Sequence, residues 1–277
     1  MRHFCLAATF VLLALLAVAA PAAAAPEGQM TWGVHVSLAP SWFDPAETQG
    51  IITPFMVMYA LHDALAKAMP GNPTAPSLAE SWQVSPDGRV YDFTLRKGVK
   101  FHNGDTLTSE DVKFSFERYK GASAKAIKDR VAAVETPGPL QVRFRLKSPW
   151  PDFMTFYTAA SGAGWIVPKK YVEKVGDDAY KKAPVGAGPY KFVSFTPGVE
   201  LVMEAFDGYW RKTPSVKRLV MRSISDEATR AAALKRGDVD VIYYINGPIA
   251  EDVRRTPGLT LAATRTNGVL WVEFPEQ

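Results

Sequence analysis

Residues 79–119, AESWQVSPDGRVYDFTLRKGVKFHNGDTLTSEDVKFSFERY, constrain the fold of this chain more tightly than any other stretch. Trp82 and Val84 lead into Ser85-Pro86-Asp87-Gly88. Pro presets φ at the second position of a type I turn and Gly suits the fourth. Tyr91, Phe93 and Leu95 then alternate with Asp92, Thr94 and Arg96, the period of a half-buried strand. Together these spacings predict a β-hairpin. Gly98 and Asn103-Gly104-Asp105 break the chain again. Thr108 stands as a helix N-cap with Glu110 and Asp111 in the first turn, where carboxylates meet the positive helix end. Val112, Phe116 and Tyr119 follow at helical spacing.

Other segments read with the same rules. Trp32, Val34, Val36 and Leu38 share one face of a first strand over 30–38, with Thr31, Gly33, His35 and Ser37 opposite. Pro40 to Pro45 is a turn. Thr53-Pro54 reads as N-cap and first residue of a helix over 55–67 that is apolar nearly all round, with Met56 and Met58 as core filling. Residues 70–76 read as a loop and 123–134 as a polar helix ended by Thr136-Pro137-Gly138-Pro139. Leu140, Val142, Phe144 and Leu146 alternate with Gln141, Arg143, Arg145 and Lys147, a strand whose arginines form a solvated face. A helix is expected from Pro149 to Tyr157, interrupted by Ser161-Gly162-Ala163-Gly164, and Ile166-Val167-Pro168 starts another. No Gly-Lys-Ser/Thr follows the glycines, so a phosphate-binding P-loop is excluded. Two strands flank Pro197-Gly198, Ser225 caps a helix closed by Gly237, and Asp238 to Ile242 is a strand in which Asp240 has a structural role.

The N-terminus reads as a secretory signal peptide over 1–24: Arg2 and His3, the apolar run 6–20, then small residues ending in a cleavage site before Ala25. The run is shorter than the ~20 residues of a membrane span. The single cysteine, Cys5, precedes the run, so there is no lipobox and the mature chain has no thiol chemistry. The 277 residues suffice for one large or two ordinary domains. A formal net charge of +4, one less without Arg2, indicates no nucleic-acid partner.

Ala79-Glu80-Ser81-Trp82, Asp87-Gly88, Phe93-x-Leu95-Arg96, the run 98–104 (GVKFHNG) and Glu110-Asp111-Val112 together resemble the signature of the solute-binding proteins of peptide and nickel ABC transporters, the extracytoplasmic family 5 type. Gly186-Ala187-Gly188-Pro189-Tyr190 resembles a further family turn with Ala in place of Thr, and Phe206 to Trp210 another element with Phe in place of Asn. The resemblance implies an α/β, periplasmic binding protein-like fold of class II, whose members close two lobes about a hinge. It places the first lobe at 25–270, with an extra subdomain at about 55–180. Gly268 to Phe274 resembles the crossover strand, so 271–277 begin the passage to a second lobe that the chain lacks, as a truncated product would.

The implied function is the periplasmic substrate-binding component of an ABC importer, with peptide as the expected solute and the transporter permease as partner. Nickel, opines and sugars are also solutes of the family. The protein is expected to be a monomer without catalytic residues, cofactor or metal site. The resemblance puts Gln49, Gly50 and Ile51 at the rim of the ligand cleft and Ser161 on a loop approaching it. The acidic residue that pairs with a peptide amino terminus falls in the missing lobe. Half a cleft is therefore expected to bind solute weakly or not at all.

A secreted hydrolase is the rival of a different class, and its signals are absent: there is no Gly-x-Ser-x-Gly and no His-Glu-x-x-His. Asp177-Asp178 and Glu251-Asp252 read as surface acids, His35, His62 and His102 show no metal-ligand spacing, and His102 suits a structural hydrogen bond. A one-lobed interaction or chaperone-like module is the third reading.

Overall fold

The computed structural model describes residues 25–48, 55–158 and 162–263. Along the chain run β1 (Glu27–Val34), α1 (Phe55–Leu61), β2 (Ala66–Met69), β3 (Asn72–Pro76), β4 (Ala79–Val84), β5 (Val90–Leu95), α2 (Ser109–Arg118), α3 (Ala124–Lys128), β6 (Val131–Gly138) and β7 (Gln141–Leu146). Then follow α4 (Phe153–Phe156), α5 (Lys169–Val175), α6 (Asp177–Lys182), β8 (Tyr190–Thr196), β9 (Glu200–Ala205), β10 (Val216–Ser223), α7 (Glu227–Arg236), β11 (Val241–Ile242) and α8 (Gly247–Arg255). One sheet has the order β4-β5-β7-β6, all antiparallel, and another the order β11-β1-β10-β9-β8. In the second, β1 runs parallel to β10 and β11, while β10, β9 and β8 are antiparallel.

The predicted hairpin is β4-β5. Gly88 N–H donates to Ser85 O at 2.8 Å, and Gly88 takes φ +67°, a conformation open to glycine. Tyr91, Phe93 and Leu95 point into a core with Val142, Phe144 and Leu146 of β7, and Phe116 of α2 closes over it. The N-cap of α2 is a capping box in which Asp111 accepts from the Thr108 backbone at 2.8 Å. On the outer face Arg143 pairs with Asp92 at 2.6 Å and Arg145 with Glu135 at 2.6 Å, so the solvated arginines are cross-strand partners.

Several segments depart from the sequence reading, some through long-range contacts and some through pairing with a neighbouring strand. The helix expected over 55–67 stops at Leu61, whose carbonyl accepts from Gly188 N at 3.1 Å. Beyond it, Asp63 receives Lys67 and, at 2.7 Å, the indole N–H of Trp210, while Ala64 bridges to Trp165. Residues 66–76 form the β2-β3 hairpin rather than helix end and loop. The polar helix expected over 123–134 is only the five residues of α3, because β6 supplies the second edge partner of β7 and buries Val131 and Val134. The helix expected through Tyr157 is one turn, α4. Asp226, not Ser225, caps α7, accepting from Thr229 N at 2.7 Å. The first strand is displaced to Glu27–Val34, and its supposed polar face is buried too: Thr31 is only 5% exposed, and Gly33 lies under Arg230 and Ile242. Met58 is fully buried, as expected of core filling, and Met56 packs against the core of the five-stranded sheet.

The two sheets meet where the 186–188 turn crosses the end of α1. A Cβ on Gly186 would sit 1.9 Å from Leu61 O, so only glycine fits. His102 staples the turn: Gly186 N–H donates to Nδ1 at 3.2 Å and Nε2–H donates to Gly188 O at 3.0 Å. This is the structural hydrogen bonding expected of His102. Asp240 is structural as well, since its carboxylate accepts from Thr31 N at 2.7 Å and its own N–H donates to Thr31 O.

Candidate ligand-binding rim

Parallel strands deliver their carboxyl ends to one edge, where open α/β sheets bind ligands. Here β1 ends at Val34, β10 at Ser223 and β11 at Ile242, so His35, residues 224–226 and Tyr243-Tyr244 collect at that edge. The Tyr243 hydroxyl lies 2.8 Å from His35 Nδ1, and its ring meets Trp32 edge-on at 5.5 Å. Burial pushes the Tyr243 phenol up to about 12. Tyr244 is 62% exposed and stacks on His35 at 4.6 Å with 16° between the planes. Burial first, and the Arg230 charge second, hold His35 below the usual imidazole range. Arg230 itself is 1% exposed and spends its guanidinium on main-chain carbonyls, donating to Ile224 O, Ser225 O and Tyr244 O at 2.8–3.0 Å.

A separate candidate segment is the turn 44–48, which leads in the chain to Gln49, Gly50 and Ile51. Asp44 caps it, accepting from Ala46 N at 3.0 Å, and Thr48 Oγ1 donates back to Asp44 O at 3.0 Å. Arg118 of α2 grips the fully buried Asp44 through two bonds of 2.6 and 2.5 Å and reaches Asp177 at 2.9 Å. Burial works against that guanidinium's charge, but the bonds to Asp44 and Asp177 outweigh it and raise its pKa. Asp177, expected as a plain surface acid, is thus part of an ion-pair cluster, and its pKa is lowered chiefly by Arg118.

The expected contacts Gln49, Gly50, Ile51 and Ser161, like Thr53-Pro54, the signal peptide and the 268–274 strand, lie outside the described residues. Their flanks do converge. A Cβ on Gly121 would sit 2.6 Å from Thr48 O, and one on Gly162 3.6 Å from the Tyr119 hydroxyl. Between them Pro45, Ala46, Arg118, Tyr119, Gly162 and Trp165 line a crevice of about 10 Å³, room for one water and no more. On the far side of residues 49–54, the Met56 sulfur lies 3.9 Å from the Tyr243 hydroxyl, and Tyr59 packs edge-on to Trp165 at 5.1 Å. His35, Tyr243 and Tyr244 were missed by sequence reasoning. The available signal was an aromatic pair followed by Asn246-Gly247-Pro248 where a strand hands over to a loop.

A larger hollow of about 260 Å³ lies on the outer face of β4, β5 and β7, around the paired Asp92 and Arg143. Its lining is a solvated sheet face, whereas the rim combines strand ends with an exposed aromatic. Among the described residues no group of three or more His, Cys, Asp or Glu is disposed to hold a metal ion, and no helix is long and apolar enough to cross a membrane.

Comparison with known proteins places this arrangement. Residues 74–276 match the family model described as bacterial extracellular solute-binding proteins, family 5 middle. Di/tripeptide-binding protein 2 of Pseudomonas aeruginosa is 34% identical, over 90% of this chain and 51% of that protein. The PBP AgaA of A. tumefaciens R10, solved with agropinic acid, is 34% identical with a TM-score of 0.75, over 83% of this chain and 46% of AgaA. DppA from Helicobacter pylori, solved with the peptide STSA, is 26% identical with a TM-score of 0.73, over 83% of this chain and 49% of DppA. The chain spans about half the length of the relatives it matches, as one lobe of a two-lobed binding protein would. The α/β binding-protein fold that the signature implied is therefore present, and the chain belongs to the family 5 bacterial extracellular solute-binding proteins.

Proposed function

We propose that this chain is the solute-binding component of an ABC importer, working in the periplasm with a short peptide as solute and the transporter permease as partner. The observation that carries the reading is the carboxyl edge of the parallel strands, where the exposed Tyr244 stacks on His35 at the place where α/β sheets take ligands. Relatives named or solved with peptides support a peptide, while agropinic acid in a related protein marks the breadth of solutes within the fold. Gln49, Gly50, Ile51 and Ser161 are the proposed contacts beside the described rim. The leader-like segment ahead of Ala25 supports export.

Calorimetric titration with di- and tripeptides, a nickel–histidine complex and agropinic acid tests the proposal. The crevice formed by the described residues cannot enclose a peptide, so saturable but weak heat is expected from the peptides alone. A signal from the nickel complex or from agropinic acid without one from any peptide would overturn the peptide assignment.

A further inference from the structure

Tyr244 is the one non-glycine residue with positive φ among the described residues, at +58°. A bulky side chain rarely adopts that conformation, and where it does, the surrounding structure enforces it. The enforcement is visible. Buried Arg230 clamps the Tyr244 carbonyl at 2.9 Å while gripping Ile224 and Ser225 across the edge, and Glu227 Oε1 accepts from Asn246 N at 2.6 Å just beyond. The ring so placed remains 62% exposed. Its one described ring partner is His35, stacked face to face, and His35 is pinned in turn by the Tyr243 hydroxyl. The stacked pair thus stands on a backbone held by Arg230, with Tyr244 largely exposed. Ordering that ring is a cost met in the unbound protein, so an incoming planar group gains contact without having to immobilise it.

We propose that Tyr244, backed by His35, is a stacking platform that takes an aromatic side chain of the solute and so determines specificity at this rim. The proposal rests on the solute-binding reading above. Offset or edge-on pairing with an aromatic ring is favoured beyond simple area burial. An aliphatic side chain gains only the burial. Burial and the neighbouring Arg230 both disfavour a charged imidazole at His35.

The test follows the ring signals of His35 and Tyr244 by NMR in the chain as it stands, during titration with Trp-Ala, Leu-Ala and N-acetyltryptophan amide. Trp-Ala is expected to bind about two- to ten-fold tighter than Leu-Ala, the range that aromatic pairing supplies, and to shift both ring signals. Tyr244→Phe keeps that preference and Tyr244→Asn abolishes it. Asn tolerates the left-handed conformation, so the second variant removes the ring and keeps the backbone. Equal binding of both dipeptides, unchanged in Tyr244→Asn, overturns the platform and leaves the peptide reading standing. Ring shifts with the amide but binding of neither dipeptide keep the platform and overturn the peptide reading. Ring signals unmoved by every compound overturn the platform.

Discussion

The four-stranded and five-stranded sheets bury their strands in different ways. In β5 the inward residues Tyr91, Phe93 and Leu95 are at most 4% exposed, while Asp92 and Thr94 face outward beside Arg143. In β1 both faces are covered. Val34 is fully buried on one side and Thr31 and Gly33 on the other, where α7 lays the stem of Arg230 across the strand. A sheet covered on one face writes itself into the sequence as alternation. A strand flanked by parallel partners and covered twice does not, and residues that read as polar-facing become packing positions. The candidate rim at the strand ends belongs to the second sheet, and so it was the less legible part.

The largest expected effect is at the joint between the sheets. Gly186→Ala drives a Cβ into Leu61 O and should destabilise by about 4 kcal/mol or more, with both sheets unfolding in one urea transition. Two separated transitions would show the sheets to be independent and break the comparison. Asp44→Ala leaves buried Arg118 with Asp177 alone and should cost about 3 kcal/mol, accompanied by faster amide exchange over 45–48. Unchanged exchange there would mean the turn does not depend on the ion pair.

Acid comes next. His62 is fully buried and His102 half-buried, and each has its pKa lowered to about 4, chiefly by desolvation. Their unfolded values lie near 6.5, so between about 6.5 and 4 the unfolded chain binds more protons than the folded one. Stability is therefore whole above about pH 6.5 and falls as pH drops toward 4, by at most about 3 kcal/mol per histidine. Urea midpoints measured across that window should show the slope, and His102→Asn should flatten it.

Two smaller changes compare the sheets directly. Gly33→Ala meets Ile242 Cγ2 at 3.2 Å and Arg230 Cγ at 3.3 Å and should cost about 1–3 kcal/mol. Arg143→Ala, on the solvated face of β7, should cost clearly less than Gly33→Ala. Equal losses in chemical denaturation would mean that both faces are covered alike in the two sheets.

The site was legible only in outline. The turn 44–48 leads straight into Gln49, Gly50 and Ile51, which the resemblance placed at the rim, but its grip by Arg118, 74 residues away, had no sequence signal. Tyr244 carries no local sign of its conformation, which is imposed by Arg230 from α7.

The sequence by itself determined the β4-β5 hairpin, the capped α2, the β7 alternation and the family signature. Each rests on contacts between near neighbours or on one buried face, and both leave a short-period trace. Only the tertiary structure decided where α1 ends, that 66–76 pair as strands, that β6 is a strand, and that His35, Tyr243 and Tyr244 share an edge. The end of α1 and the shared edge depend on Gly188 meeting Leu61, Trp210 meeting Asp63 and β11 lying beside β1, whereas 66–76 and β6 pair with strands next to them in the chain. Partners more than a hundred residues apart outweigh local propensity because each buries a polar group or an apolar face that the segment alone would leave exposed.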